Sequence, residues 1–225
     1  MLTISKPYAY GYLNDETILL LHALGVSRDV LLQKQADYLN FLQIASSGTD
    51  GGHAAFKFCT LTNHMDLAEA LLIEGVEKVL PQVRALVNQE EQKSLNKKKG
   101  QRCRIMVPQS RLIFGVCDPH DVLREGQCFV RITHDGDGMA RTVTGTEVLV
   151  TRNPCLHPGD LQKFRAINHP KLSHLVDCIV FPTKGRRPSA DLMSGGDLDG
   201  DKCRHTPKPS PKPDSKGHYN YSVRC

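Results

Sequence analysis

The sequence predicts an α+β protein in three parts: a helical section over residues 1–100, a mostly β region over 101–202, and a disordered Pro/Lys-rich tail over 203–225. Three observations give this division. Apolar residues recur at helical spacing between Asn14 and Val87. From residue 104 the pattern changes to short apolar or alternating runs separated by Pro, Gly and Asp. Beyond Lys202, prolines stand at 207, 209, 211 and 213 among lysines, with no apolar face to bury.

Residues 1–12 read as coil or a stray strand. Asn14 is placed to cap a first helix, with Asp15 and Glu16 at its positive end and Gly25 stopping it. Ser27 caps a second, which carries Leu31, Leu32, Ala36, Leu39 and Leu42 at helical spacing. Ser46 to Gly52 is a loop. Asp66 with Glu69 forms a capping-box pattern before Leu71, Leu72 and Ile73. After Gly75, Pro81 suits the first turn of a further helix with Val83, Leu86 and Val87 on one face. Lys97, Lys98 and Lys99 then match that helix's negative end, a reading favoured over a contact with a polyanionic partner. In the second part, strands are expected at Ile105–Val107, Leu112–Cys117, Gln127–Ile132, Arg141–Val150 and Cys178–Phe181, with a sixth candidate at Lys163–Ile167. His134 to Gly138 is an acidic glycine turn that should close a hairpin. Many short strands with turn signals suggest a small barrel or sandwich.

Composition narrows the function classes. The 225 residues suffice for one or two domains, and 40% hydrophobic residues for a core, although Trp is absent. The net charge is +5, and residues 101–202 hold 14 Lys/Arg against 12 Asp/Glu. A mildly basic domain around an acidic focus suits nucleic-acid backbone contact plus a metal. The eight cysteines contain no C-x-x-C pair, which argues against zinc and redox motifs and for reduced thiols in an intracellular protein, nuclear or cytoplasmic. The first twelve residues are polar and tyrosine-rich, unlike a secretory signal, and no apolar run is long enough to span a membrane.

The acidic focus is Asp197-Leu198-Asp199-Gly200-Asp201, preceded by Ser194-Gly195-Gly196. Alternation puts the three carboxylates on one face of an extended segment, and Gly200 permits a loop in which they converge. Converging carboxylates repel unless a cation lies among them, and hard oxygen donors favour Mg²⁺. Such an ion usually keeps open positions for substrate phosphates, so phosphoryl-transfer chemistry is the first hypothesis. An EF-hand is excluded: its sixth and twelfth positions would be Lys202 and Lys208. A solvated acidic turn is the plain alternative. Gly195 and Gly196 would let the backbone approach a metal or nucleic acid closely, or serve as turn glycines.

The run Arg104-Ile-Met-Val-Pro-Gln-Ser-Arg111-Leu-Ile-Phe-Gly-Val-Cys-Asp118 opens a longer pattern. It continues with Gly126-Gln-Cys-Phe-Val-Arg131, Val150-Thr-Arg152-Asn-Pro-Cys-Leu-His157-Pro-Gly-Asp160 and His174-Leu-Val-Asp-Cys-Ile-Val-Phe-Pro182, and ends at Asp191 to Asp201. Together these blocks resemble the catalytic region of the cellular RNA-dependent RNA polymerases of eukaryotic RNA silencing. Leu13 to Gln43 is similar more loosely. The R-N-P-C-L-H and D-x-D-G-D pair is also similar to motifs of multisubunit transcription polymerases. The resemblance implies a double-psi β-barrel whose acidic loop holds Mg²⁺ on Asp197, Asp199 and Asp201. It implies nucleotidyl transfer from ribonucleoside triphosphates onto RNA copied from an RNA template, making double-stranded RNA for small-RNA silencing with other silencing proteins as partners. Arg152 would lie near the incoming ribose, or pair with Asp160 or a backbone carbonyl. Lys184, Arg186 and Arg187 flank the acidic loop as phosphate contacts or as a solvated basic turn. His157 is expected to tie its own loop, and Asp118 and Asp177 to serve turns and strand ends. Two departures stand out: Gln109-Ser110 where the family carries Lys-Gly, and a resemblance that ends at Asp201 with no apolar strand after it. The barrel is therefore expected to be incomplete at its C-terminal end, and the alternative reading is a truncated, catalytically inactive RNA-binding or degenerate copy.

Overall fold

The computed structural model describes residues 8–95, 103–134, 138–198 and 202–207. The chain forms two compact units, Tyr12–Val107 and Met1–Gly11 with Pro108–Cys225. The class is mixed α+β, helices followed by sheet.

The described residues of the first unit form helices α1 (Asp15–Ala23), α2 (Arg28–Ser47), α3 (His53–Leu61), α4 (Met65–Ile73) and α5 (Val76–Ser94). Asn14 Oδ1 accepts from Thr17 N at 3.1 Å and Ser27 Oγ from Val30 N at 3.4 Å, so both expected caps form. Helix α2 ends at Gly48, whose φ of 68° is the left-handed conformation an L side chain resists. Its amide closes the last turn on Ile44 O. Helix α3 was not legible as a helix. Its cap comes from Asp50, whose carboxylate accepts from Gly52 N and Ala54 N. Helix α4 begins at Met65 behind His64, so Asp66 sits inside its first turn and the Asp66/Glu69 capping box does not form. Pro81 lies in the interior of α5 rather than in its first turn, with no N–H to give the carbonyl one turn back. Lys97 to Lys99 fall outside the described residues. Among buried side chains of this unit, Leu42, Phe58 and Val83 lie at 1% exposure or less. A buried carboxylate, Glu90, receives Tyr38 Oη at 3.3 Å and Lys93 Nζ at 2.7 Å. Burial first, then nearby negative charge, keeps the Tyr38 hydroxyl protonated far above its ordinary range, so it acts as the donor.

The strands are β1 (Tyr8–Leu13), β2 (Ile105–Cys117), β3 (Gln127–Thr133), β4 (Ala140–Val143), β5 (Glu147–Arg152), β6 (Gln162–Ala166), β7 (Cys178–Phe181) and β8 (Lys202–Pro207). The two expected strands at 105–107 and 112–117 are one continuous strand. The expected run 141–150 breaks into β4 and β5 around Gly145, which has φ 72°. The order is β1-β2-β7-β3-β6-β5-β8, with β4 on β3. A further β2–β8 pairing closes β2, β7, β3, β6, β5 and β8 into a ring. The pairs β2–β7 and β3–β6 are parallel; β3–β7, β5–β6, β5–β8 and β2–β8 are antiparallel.

Strand β8 departs from the expectation of a disordered tail at residues 203–207. Its backbone pairs Val148↔Pro207 through Arg152↔Cys203 on one side and Leu112↔Arg204 through Phe114↔Lys202 on the other. Residues 208–225 lie outside the described residues.

Alternation along the strands sorts two cores. Ile113, Cys128, Val130, Ile132, Val148, Val150, Phe164, Ile179 and Phe181 meet in one, joined by Met193. The intervening Phe129 and Val180 face a second, with Leu123 and Leu172. The second core is held by a turn at Asp118, which is 3% exposed. Its carboxylate accepts from His120 N, Val122 N and Leu123 N at 2.9, 2.6 and 2.7 Å. Burial opposes the charge, but the three N–H bonds outweigh it and hold the carboxyl below its ordinary pKa. A depressed carboxyl pKa gives stability that is present above the unfolded value and lost as pH falls through the folded one. Asp118→Ala is therefore expected to cost about 1–3 kcal/mol near neutrality, the penalty of orphaned buried amides and a lost charged acceptor. In urea titrations the gap from wild type should narrow as pH falls below about 4. A gap that does not change with pH would remove the carboxylate's charge from the account.

Candidate active site

Strand β5 ends at Arg152 and runs into a loop, Asn153 to Leu161, with a cis Asn153–Pro154 peptide. His157 Nδ1 accepts from Gly159 N at 2.9 Å, and Asp160 Oδ2 accepts from His157 N at 3.1 Å, a reciprocal cap on the short 3-10 turn Pro158–Asp160. The expected structural role of His157 is thus what its contacts give. Buried Thr151 adds a bond from Oγ1 to Asp160 O at 3.0 Å, tying the loop's end back to the strand.

The acidic loop leaves the ring through buried Met193. Successive turns bond Met193 N to Ala190 O, Gly195 N to Asp191 O and Gly196 N to Met193 O. Ser194 is where the two loops meet. Its amide donates to Asp160 Oδ1 at 3.2 Å, its hydroxyl to Pro154 O at 2.9 Å, and its carbonyl accepts from Arg152 Nη1 at 3.2 Å. Arg152 therefore bonds a backbone carbonyl, one of the two expected partners, and Asp160 bonds the neighbouring amide. Ser194 (φ 54°) and Leu198 (φ 65°) both adopt the left-handed region, which disfavours residues with a Cβ. Leu198 packs against the main core. Gly195 is exposed with φ 69° and open space where a Cβ would stand; Gly196 is buried. Asp197 is exposed. Asp199, Gly200 and Asp201 fall outside the described residues. Past them, β8 starts at Lys202, and Arg152 pairs with Cys203. The acidic segment thus departs and returns beside Arg152, at the C-terminal end of β5.

The basic residues are not equivalent. Lys184 Nζ bonds Asp121 O at 2.6 Å and lies 3.1 Å from Asp121 Oδ2. Thr183 Oγ1 donates to Asp121 Oδ1 at 2.6 Å. The Thr183 hydroxyl, then the Lys184 ammonium, hold the Asp121 carboxyl below its usual range. Arg187 is paired with Asp191. Arg186 is exposed. Sequence reasoning singled out neither Ser194 nor Asp121; the only available signal was their adjacency to the glycine pair and to Asp118.

Among the described residues no group of three His, Cys, Asp or Glu side chains could hold a metal ion, two of the three acidic-loop carboxylates being outside that set. The donor chemistry of the segment, carboxylates alternating with Leu198 and Gly200, fits a hard divalent cation.

The family model for RNA dependent RNA polymerase matches residues 1–219. The chain belongs to the eukaryotic cellular RNA-dependent RNA polymerase family. The match runs past Asp201, where the resemblance had been expected to end. Among relatives, the probable RNA-dependent RNA polymerase SHL2 of Oryza sativa subsp. japonica is 36% identical, across 85% of this chain and 17% of its own length. RNA-dependent RNA polymerase 1 of Arabidopsis thaliana is 32% identical across 86% and 18%, and RNA-dependent RNA polymerase 1 of Schizosaccharomyces pombe 30% across 86% and 17%. The chain thus spans about a sixth of these relatives. In structure it is similar to the RNA dependent RNA polymerase QDE-1 from Thielavia terrestris, with TM-score 0.64 and 24% identity, covering 95% of this chain and 27% of that one. That likeness speaks to the fold. No helix among the described residues is long and apolar enough to cross a membrane.

Proposed function

We propose that this chain is the catalytic region of an RNA-directed RNA polymerase that joins ribonucleoside triphosphates along an RNA template, making double-stranded RNA for silencing inside the cell. One observation carries the reading: the R-N-P-C-L-H loop and the stem of the acidic loop are bonded to each other at Ser194, at one end of a closed β ring. The ring is taken as the double-psi barrel of the family. Asp197, Asp199 and Asp201 would hold Mg²⁺. When bound, that ion neutralises charge on the phosphate oxygens and favours the deprotonated 3′-hydroxyl. Gly195 and Gly196 keep side chains away from the approach to Asp197. Arg186 is open to a phosphate, whereas Lys184 would first have to leave Asp121.

Arg152 bonds Ser194 O through Nη1, which holds its guanidinium beside the stem of the acidic loop, and a guanidinium there suits hydrogen bonding to a ribose 2′-hydroxyl. A site built to bond that hydroxyl rejects sugars lacking it, because its polar group is left unpaired. In a full-length polymerase carrying this region, Arg152→Ala is expected to reduce ribo- over deoxyribonucleotide preference by about tenfold or more, with Arg152→Lys rescuing in part. Single-turnover incorporation of paired ribo- and deoxyribonucleotides measures this; unaltered preference would assign Arg152 to structure alone. The reading as a whole is tested by labelled ribonucleotide incorporation on single-stranded RNA. Failure of the full-length enzyme to incorporate would favour the inactive RNA-binding alternative.

A further inference from the structure

We infer that Asp160 is a positioning residue: by gripping Ser194 it fixes how the acidic loop presents its carboxylates to a divalent cation. The inference rests on the metal reading proposed above. Its basis is the division of one carboxylate between two loops. Oδ2 holds His157 N in its own loop, while Oδ1 reaches Ser194 N, 34 residues further along the chain. Buried Thr151 holds the Asp160 carbonyl, so the carboxylate is itself anchored from the end of β5.

Ser194 needs such holding. Its φ of 54° is one that a non-glycine residue adopts only under constraint. Three groups supply the constraint, one at each polar atom: Asp160 at the amide, Pro154 at the hydroxyl, Arg152 at the carbonyl. On either side, Met193 and Leu198 pack into the main core. The stretch between them, with exposed Asp197, is therefore pinned at three points. Two of the three bonds to Ser194 are charge-assisted, that to the Asp160 carboxylate and that from the Arg152 guanidinium, and of these two groups Asp160 also accepts from His157 N in the facing loop. Without it the Ser194 and His157 amides lose their acceptor, and the left-handed turn has less to maintain it. Cation affinity depends on ligands being held in a convergent arrangement, so a relaxed loop should bind metal less tightly without losing any ligand.

The test is calorimetric titration of Mn²⁺ alone into the 225-residue chain, as wild type, Asp197→Ala, Asp160→Ala and Asp160→Asn. Asp160→Ala is expected to weaken Mn²⁺ binding about tenfold, with Asn, which keeps one acceptor oxygen, falling between. Asp160→Ala with wild-type affinity overturns the positioning role. A wild-type chain that takes up no Mn²⁺, or an Asp197→Ala chain that binds as wild type does, instead sinks the metal reading. Amide hydrogen exchange then judges Asp160 independently. Exchange at Ser194 to Leu198 should be about tenfold faster in Asp160→Ala, while Val130 and Ile179 in the ring keep their rates. Unchanged exchange at 194–198 overturns the inference whatever the metal does.

Discussion

Replacing Asp199 with alanine is expected to abolish divalent-cation binding and to lower ribonucleotide incorporation by a full-length polymerase carrying this region by about a thousandfold. Removing the middle of three alternating carboxylates leaves two, Asp197 and Asp201, to supply side-chain oxygens to an ion that wants several. A metal-held charge at a transferring phosphate contributes several kcal/mol, and each ~1.4 kcal/mol is tenfold in rate. The flanking structure raises the stakes. The loop leaves through the Ser194 clamp and returns into β8 opposite Arg152, so neither end is free to bring in a substitute ligand. Calorimetry and single-turnover kinetics read the two effects separately. Wild-type metal affinity in Asp199→Ala would take the acidic segment out of catalysis.

Phe181→Ala is expected to cost the sheet unit about 3–5 kcal/mol, the range for truncating a buried aromatic without collapse of the cavity. Phe181 is 1% exposed, and its ring lies 5.4 Å from that of Phe164 at a tilt of 59°. It comes from β7 and Phe164 from β6, so the pair spans the inside of the ring. Chemical denaturation should show a lower midpoint with an unchanged slope. A loss under 1 kcal/mol would mean that the interior repacks freely. Leu72, 73% exposed on α4, is the control; its truncation should change stability by no more than about 0.5 kcal/mol.

What the sequence disclosed follows from where the physical signal was local. The short apolar runs of β3 and β7, bounded by turn residues, and the caps at Asn14 and Ser27 depend on neighbouring residues only, and they were readable. Helix α3 was hidden because its start is Gly51-Gly52, which reads as loop, and its cap lies two residues upstream of Gly52 at Asp50. The break between β4 and β5 was missed because Gly145 sits in an otherwise alternating run. Strand β8 was invisible for a different reason: it is recognised by backbone pairing with β5 and β2, and its residues Lys202 to Pro207 show no apolar alternation. At the site, the alternation of Asp197, Asp199 and Asp201 is a matter of residue type and stands in the sequence. The meeting of Asp160 with Ser194 could not, because it is a long-range contact between two loops, neither of which has a repeat or a period.

Strand β8 has one more consequence. An unclosed sheet ends in rows of bare amides and carbonyls, which any passing strand can extend. Here the segment after the acidic loop occupies the pairing positions of β5 over Val148–Arg152 and of β2 over Leu112–Phe114. The same six residues that return the chain from the acidic loop thereby shield those edges from foreign strands. Solubility and the geometry of the loop are tied to one strand, and a change that dislodges it would promote aggregation as well as disturb the loop.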